Sequence, residues 1–237
     1  MPVSNCINGQ RSRGKKQLRL LVASGKGGVG KSGLVINMAA AAAATGYSAV
    51  ILDTDTNQHT CVEWRRAGGA IEVAKIEPPD IADALESYRH IDIVFIDTCG
   101  AVLARHGEAF ECADLVLIPL STSQPDRAPA LRTFKKARAR SRPTRFVLSL
   151  IDPSATEARR IAGQTLLRSL MPPETSDHNL QTWFMRSVIT RRVPLRDAMD
   201  IGGTAFSTAH TARSRSEFEE LFREVSTITR WSENGFG

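Results

Sequence analysis

The sequence predicts a single α/β domain built on a mostly parallel, doubly wound sheet flanked by helices. Three observations predict it. Short apolar runs alternate with helical patterns at fairly regular intervals along the chain. Several runs are near-continuous Val, Ile and Leu, as in "VLIPL" at 116–120, which is how parallel strands covered on both faces read. The 237 residues are 42% hydrophobic and 24% charged, enough apolar material for one core.

Residues 1–16 are basic and lack the apolar run of a secretory signal, so they read as a flexible lead-in to a domain at 17–237. The first strand is expected at 17–23 and the first helix at 31–45, with Gly46 placed to stop that helix. Further strands are expected at 48–52, 71–76, 91–96, 114–119, 144–151 and 187–190. Helices are expected at 79–88, 125–139 and 156–170, and the longest loop at 171–179. Near the C-terminus Phe218, Leu221, Phe222, Val225 and Ile228 form a stripe at helical spacing. No apolar stretch approaches the roughly 18 residues of a membrane span, and a cytoplasmic location is expected. Cys6, Cys61, Cys99 and Cys112 are scattered without a C-x-x-C pair. That pattern opposes a disulfide framework or a zinc site and favours packed thiols.

Chemistry concentrates at three places. In "LRLLVASGKGGVGKSGLVINMAA" (18–40), a strand runs through a glycine-rich loop into a helix, the context that a phosphate-binding P-loop needs. The backbone of Gly25, Lys26, Gly27, Gly28, Val29 and Gly30 would turn its amides inward around a phosphate. The positive end of the helix that begins Lys31, Ser32, Gly33 would add to them. Lys31 would neutralise the β- and γ-phosphates, and the Ser32 hydroxyl would bind Mg²⁺. In "DIVFIDTCG" (92–100), an apolar run ends in Asp97 at a strand's carboxyl edge, placed as a Walker B carboxylate for the Mg²⁺ shell. In "AVILDTDTNQ" (49–58), another buried strand ends in Asp53 and Asp55, whose alternation turns both toward one edge of the sheet. A solvated turn is the alternative for that pair.

With "KGGVGKS", "DTDTNQ" and "VFIDT" in place, the chain resembles the ParA/MinD family of deviant Walker A ATPases. The resemblance covers nearly the whole chain, including "ADLVLIPLSTSQPDRAPALRTF" (113–134) and "RRVPLRDAMDIGGTAFS" (191–207). These segments look like those of small ParA-type plasmid partition proteins, and the acidic loop followed by "CVEW" is similar to the accessory ATPase of T-DNA transfer. The resemblance implies a P-loop NTPase that uses ATP/ADP and Mg²⁺ and forms an ATP-dependent homodimer. It implies that Lys26 is a signature lysine crossing the dimer interface to the partner's nucleotide, that Asp55 orients the attacking water, and that Asp53 and Asp97 surround Mg²⁺. It implies slow hydrolysis, stimulated by DNA and by a ParB-like or other small DNA- or cargo-binding partner. The chain departs from the family pattern at Gly33, Thr56-Asn57 and Cys99, where threonine, Pro-Gln and proline are usual.

The net charge of +6 is uneven. Residues 126–146 hold Arg127, Arg132, Lys135, Lys136, Arg138, Arg140, Arg142 and Arg145 against the single acid Asp126, so the rest of the chain is near neutral. This stretch suits either a contact with non-specific DNA or a solvated helix face. Arg191, Arg192, Arg213 and Arg215 are further candidates. A MinD-like membrane-positioning ATPase would need a basic amphipathic C-terminal helix, whereas the polar face here carries Glu217, Glu219, Glu220 and Glu224, which anionic lipid repels. The stripe beside them therefore reads as core packing. A nucleotide-gated binding protein with negligible hydrolysis is the remaining alternative.

Overall fold

The computed structural model describes residues 16–100, 107–154 and 182–231. The expected lead-in as far as residue 15, the helix at 156–170, the loop at 171–179 and Cys6 lie outside them. The first half runs β1 (Leu18–Val22), α1 (Lys31–Ala44), β2 (Ala49–Thr54), α2 (Thr60–Arg66), β3 (Glu72–Lys75), α3 (Ile81–Ser87) and β4 (Ile93–Thr98). The second half runs α4 (Gly107–Cys112), β5 (Leu115–Leu120), α5 (Gln124–Arg138), β6 (Thr144–Ile151), β7 (Phe184–Thr190), α6 (Val193–Asp200) and α7 (Ala212–Thr229).

The strands form one seven-stranded sheet in the order β3-β2-β4-β1-β5-β6-β7, every neighbouring pair parallel. "Mostly parallel" thus becomes fully parallel. Strand β7 begins three residues before the expected 187, because an edge strand needs no continuous apolar run and Arg186 and Ser187 interrupt its pattern. Helices α2, α4 and α6 are only six to eight residues long, too short for their periodicity to stand out in the sequence. Helix α1 ends as expected, with Gly46 in the left-handed region at φ 88° and its amide on the Ala43 carbonyl.

Alternation along the strands sends side chains into two cores. Leu20 and Val22 pack with α1, α2 and α7 on one face, while Leu21, Leu52 and Ile96 pack with α3 and α5 on the other. The C-terminal stripe is core: Phe218, Leu221, Phe222 and Val225 are all buried on the α1 face. Burial of each is worth roughly 1.5–3 kcal/mol, so α7 has its apolar face occupied by its own domain. Two of its glutamates are occupied as well. Glu224 accepts the amide protons of Arg186 and Ser187, and Glu217 accepts that of Thr190, all on the edge strand β7.

This topology gathers the carboxyl ends of β1, β4 and β2. Val22 pairs with Asp97, and Asp97 pairs with Asp53. Two hydroxyls stitch the ends together: Thr98 donates to the Val22 carbonyl at 3.0 Å and Thr54 donates to the Asp97 carbonyl at 2.6 Å.

Candidate nucleotide site

The loop between β1 and α1 turns through Gly28 (φ 75°) and Gly30 (φ 87°), a backbone region that a side chain would strain. Gly30 is the N-cap of α1 and has no side chain to offer its first amides; nor does the first turn contain an acid. The positive end of this helix is therefore left for an anion. Lys31 is buried, with its Nζ donating to the Lys26 carbonyl at 3.2 Å. Behind the loop, Gly100 at the end of β4 lies so close that a Cβ there would meet the Lys26 carbonyl carbon at 2.7 Å.

The structure brings Lys31, Ser32, Asp53 and Asp97 into one electrostatic neighbourhood. Asp97 is fully buried, and its carboxyl is pushed up to about 6, first by burial and then by Asp53, against the pull of Ser32, Cys61 and Lys31. Its Oδ2 accepts the Cys61 thiol at 3.3 Å, while its Oδ1 is buried without any hydrogen-bond partner. Asp53 is equally buried, and burial pushes its carboxyl up as well, but both of its oxygens are engaged. Oδ1 accepts the Asp55 amide, and Oδ2 accepts the amides of Cys61 and Val62 in the first turn of α2. Asp55 shapes the following turn, its Oδ1 accepting the amides of Asn57 and Gln58. That turn leads to His59, which caps α2 in the left-handed region at φ 48°.

An orphaned carboxylate oxygen beside a hydroxyl is a donor set for a hard cation. Among the described residues no three His, Cys, Asp or Glu side chains converge to hold a metal alone. That fits Mg²⁺, which is usually held by one or two carboxylates together with substrate phosphates. Ser32 and Asp97 would hold it, with Asp53 fixed behind them.

Helix α5 grips the same loop from the other side. Thr133 accepts the Gly25 amide at 3.0 Å, and the Lys26 ammonium is ion-paired with Asp126 in the first turn. Asp126 is itself buried and is held by the Ser121 hydroxyl. These contacts span about a hundred residues of sequence, and no local pattern announces them. The basic stretch on and after α5 divides by burial. Arg132, Lys135 and Arg138 are exposed; Arg127, Lys136, Arg140, Arg142 and Arg145 are half-buried. Arg140 lies 3.7 Å from Glu111, and Arg138 lies over the Trp183 ring. Of the other basic candidates, Arg191 and Arg213 are exposed, whereas Arg192 pairs with Glu217 and Arg215 donates to the Phe206 carbonyl.

Residues 20–213 match the model of the CobQ/CobB/MinD/ParA nucleotide binding domain. The chain belongs to that family. This MinD/ParA-family ATPase is 30% identical over 148 residues to the maintenance of carboxysome distribution protein A of Gloeobacter kilaueensis, across 59% of this chain and 68% of that protein. Its fold matches MinD of Pyrococcus horikoshii complexed with Mg-ADP at a TM-score of 0.65 and 16% identity, over 90% of this chain and 97% of that one. Cyanothece McdA in complex with ATP matches at 0.64 and 13%, over 90% and 98% of the two chains. A putative plasmid partition protein of Borrelia burgdorferi bound to AMPPNP matches at 0.63 and 17%, over 88% and 100%. At these identities the structural likeness is one of fold.

Proposed function

We propose that this MinD/ParA-family chain is a positioning ATPase. It dimerises on ATP, binds DNA without sequence preference, and is released when a partner protein stimulates hydrolysis. Its role is then plasmid partition or the positioning of another cargo. The observation that carries this reading is the second lysine of the loop. Lys31 is buried under the loop, whereas the side chain of Lys26, the lysine that the loop does not need for its own phosphates, is 38% exposed.

In this reading the loop amides and Lys31 hold the β- and γ-phosphates, while Ser32 and Asp97 keep the Mg²⁺-bearing side in register. Bound Mg²⁺ supplies neutralisation of the phosphate charge. Asp55 orients the attacking water, and Lys26 reaches the partner's nucleotide, adding a cation where charge develops. The DNA-facing surface is the row Arg132, Lys135, Arg138, which share one exposed face of α5 at spacings of three. The names of the relatives, a carboxysome distribution protein and a plasmid partition protein, support a positioning role.

The test is complementation. Lys26→Ala should bind ATP as wild type does but neither dimerise nor hydrolyse, and Asp55→Ala should dimerise without hydrolysing. Mixing the two should restore part of the activity, since one mixed site has both residues intact. Mixed dimers that form but stay inactive would overturn the role of Lys26 in trans. For DNA, reversing the charge of Arg132, Lys135 and Arg138 together should weaken binding to every duplex alike and flatten its salt dependence by about three contacts.

A further inference from the structure

Lys26 cannot serve a partner's nucleotide while it is bound within its own subunit, and in this structure it is so bound. Its ammonium pairs with Asp126, whose side chain is 6% exposed. Asp126 is not a passing acceptor. The Ser121 hydroxyl donates to its other oxygen, and the same hydroxyl accepts the Ser123 amide, so the carboxylate is fixed at the start of α5. The Lys26 peptide is gripped as well, by the Lys31 ammonium on its carbonyl and by the backbone at Gly100 behind it. Through Thr133, α5 also holds the neighbouring Gly25 amide.

We propose that Asp126 is a positioning residue that parks Lys26 inside the free subunit, so that dimerisation must exchange this ion pair for the contact with the partner's nucleotide. The inference rests on the reading of Lys26 as an interface lysine. The physical argument is one of competition. A carboxylate this buried loses much when its cation leaves, because little water replaces it. That loss is subtracted from whatever Lys26 gains across the interface. Arriving phosphates would weaken the grip, since they draw the Lys31 ammonium away from the Lys26 carbonyl. The parked pair therefore raises the threshold for forming the dimer and leaves the dimer's own contacts unaltered.

The experiment is a double-mutant cycle on AMPPNP-dependent dimerisation, measured by sedimentation in wild type, Asp126→Asn, Lys26→Ala and the double variant. Asn keeps the shape and can still accept from Ser121. Parking predicts that Asp126→Asn dimerises at roughly tenfold lower protein concentration than wild type, and that Asp126→Asn does not restore dimerisation when Lys26 is alanine. A dimerisation constant unchanged or weakened by Asp126→Asn, with Lys26→Ala still unable to dimerise, would overturn parking and leave the interface role standing. If Lys26→Ala dimerised like wild type, the interface role itself would fall, and parking with it. Amine labelling of the wild-type protein without nucleotide gives a readout that needs no variant. Lys26 should label several-fold more slowly than the exposed Lys135; equal rates would also overturn the proposal.

Discussion

The ends of β2 and β4 are register partners carrying the same residue, and they do opposite things. Asp53 and Asp97 face each other across the ladder, and both are fully buried. Asp53 spends both oxygens on three backbone amides, two of them in the first turn of α2. Asp97 gives one oxygen to a weak thiol donor and leaves the other unpartnered. Amide hydrogen bonds offset part of the burial cost of Asp53, whereas the open oxygen of Asp97 leaves more of that cost in place and is ready to bind. The comparison teaches that sequence position, burial and formal charge do not decide which acid keeps an oxygen open. The neighbouring amides do.

The largest effect should separate the two acids directly. Asp97→Ala should cut the Mg²⁺-dependent part of nucleotide binding and hydrolysis by about 100-fold or more, since even residues behind metal ligands cost 10–100-fold. The fold should survive. Asp53→Ala should act chiefly on stability. It removes the cap of α2 and should destabilise the protein by about 2–3 kcal/mol in urea unfolding, while the Mg²⁺-dependent part of nucleotide binding falls by about 10-fold, less than in Asp97→Ala. If the two variants exchanged phenotypes, the assignment of roles would be inverted.

The phosphate loop is legible in the sequence because its chemistry is local: glycines, Lys31 and Ser32 act within a few residues of one another. The strands are legible because parallel strands buried on both faces must be apolar throughout. The division between Asp53 and Asp97 is not legible, because it depends on where α2 starts. That start is set by His59 in a left-handed conformation, and no periodicity marks it. Asp126 and Thr133 are hidden for another reason. Their partners in the loop are 100 and 108 residues away, so only the packing of α5 against β5 and β6 makes them part of the site.

The next test uses pH to read the cost of the incomplete carboxylate. Burial raises the folded-state value of Asp97 to about 6 from an ordinary 3.8. The folded state therefore holds the proton more tightly than the unfolded chain. The stability this provides is fully present below about pH 4 and is lost as pH rises through about 6. Asp97→Asn removes the titration. In nucleotide-free protein it should exceed wild type by on the order of 3 kcal/mol at pH 8, at about 1.4 kcal/mol per pKa unit. The two proteins should converge near pH 4. A constant difference across the range would mean that Asp97 carries no buried charge.

The smallest effect concerns Cys61, a residue that touches both acids. Its amide is held by Asp53 and its thiol donates to Asp97. Burial, and then the charges of Asp97 and Asp53, push this thiol well above its ordinary range, so it stays protonated and remains a donor at neutral pH. That hydrogen bond favours the ionised form of Asp97 and holds Oδ2, which leaves Oδ1 as the oxygen for a cation. In Cys61→Ala the donor is gone. The pH midpoint obtained from the Asp97 comparison should then move upward by a few tenths of a unit, the share expected of one weak donor among several influences. Cys61→Ser, with a stronger donor of similar size, should hold the midpoint at or below that of wild type. Stability at pH 4, where Asp97 is neutral in every variant, corrects for the small loss of packing. A Cys61→Ala profile that superimposes on wild type would mean that the thiol fills space without acting on Asp97, and the difference between the two acids would then rest on the α2 amides alone.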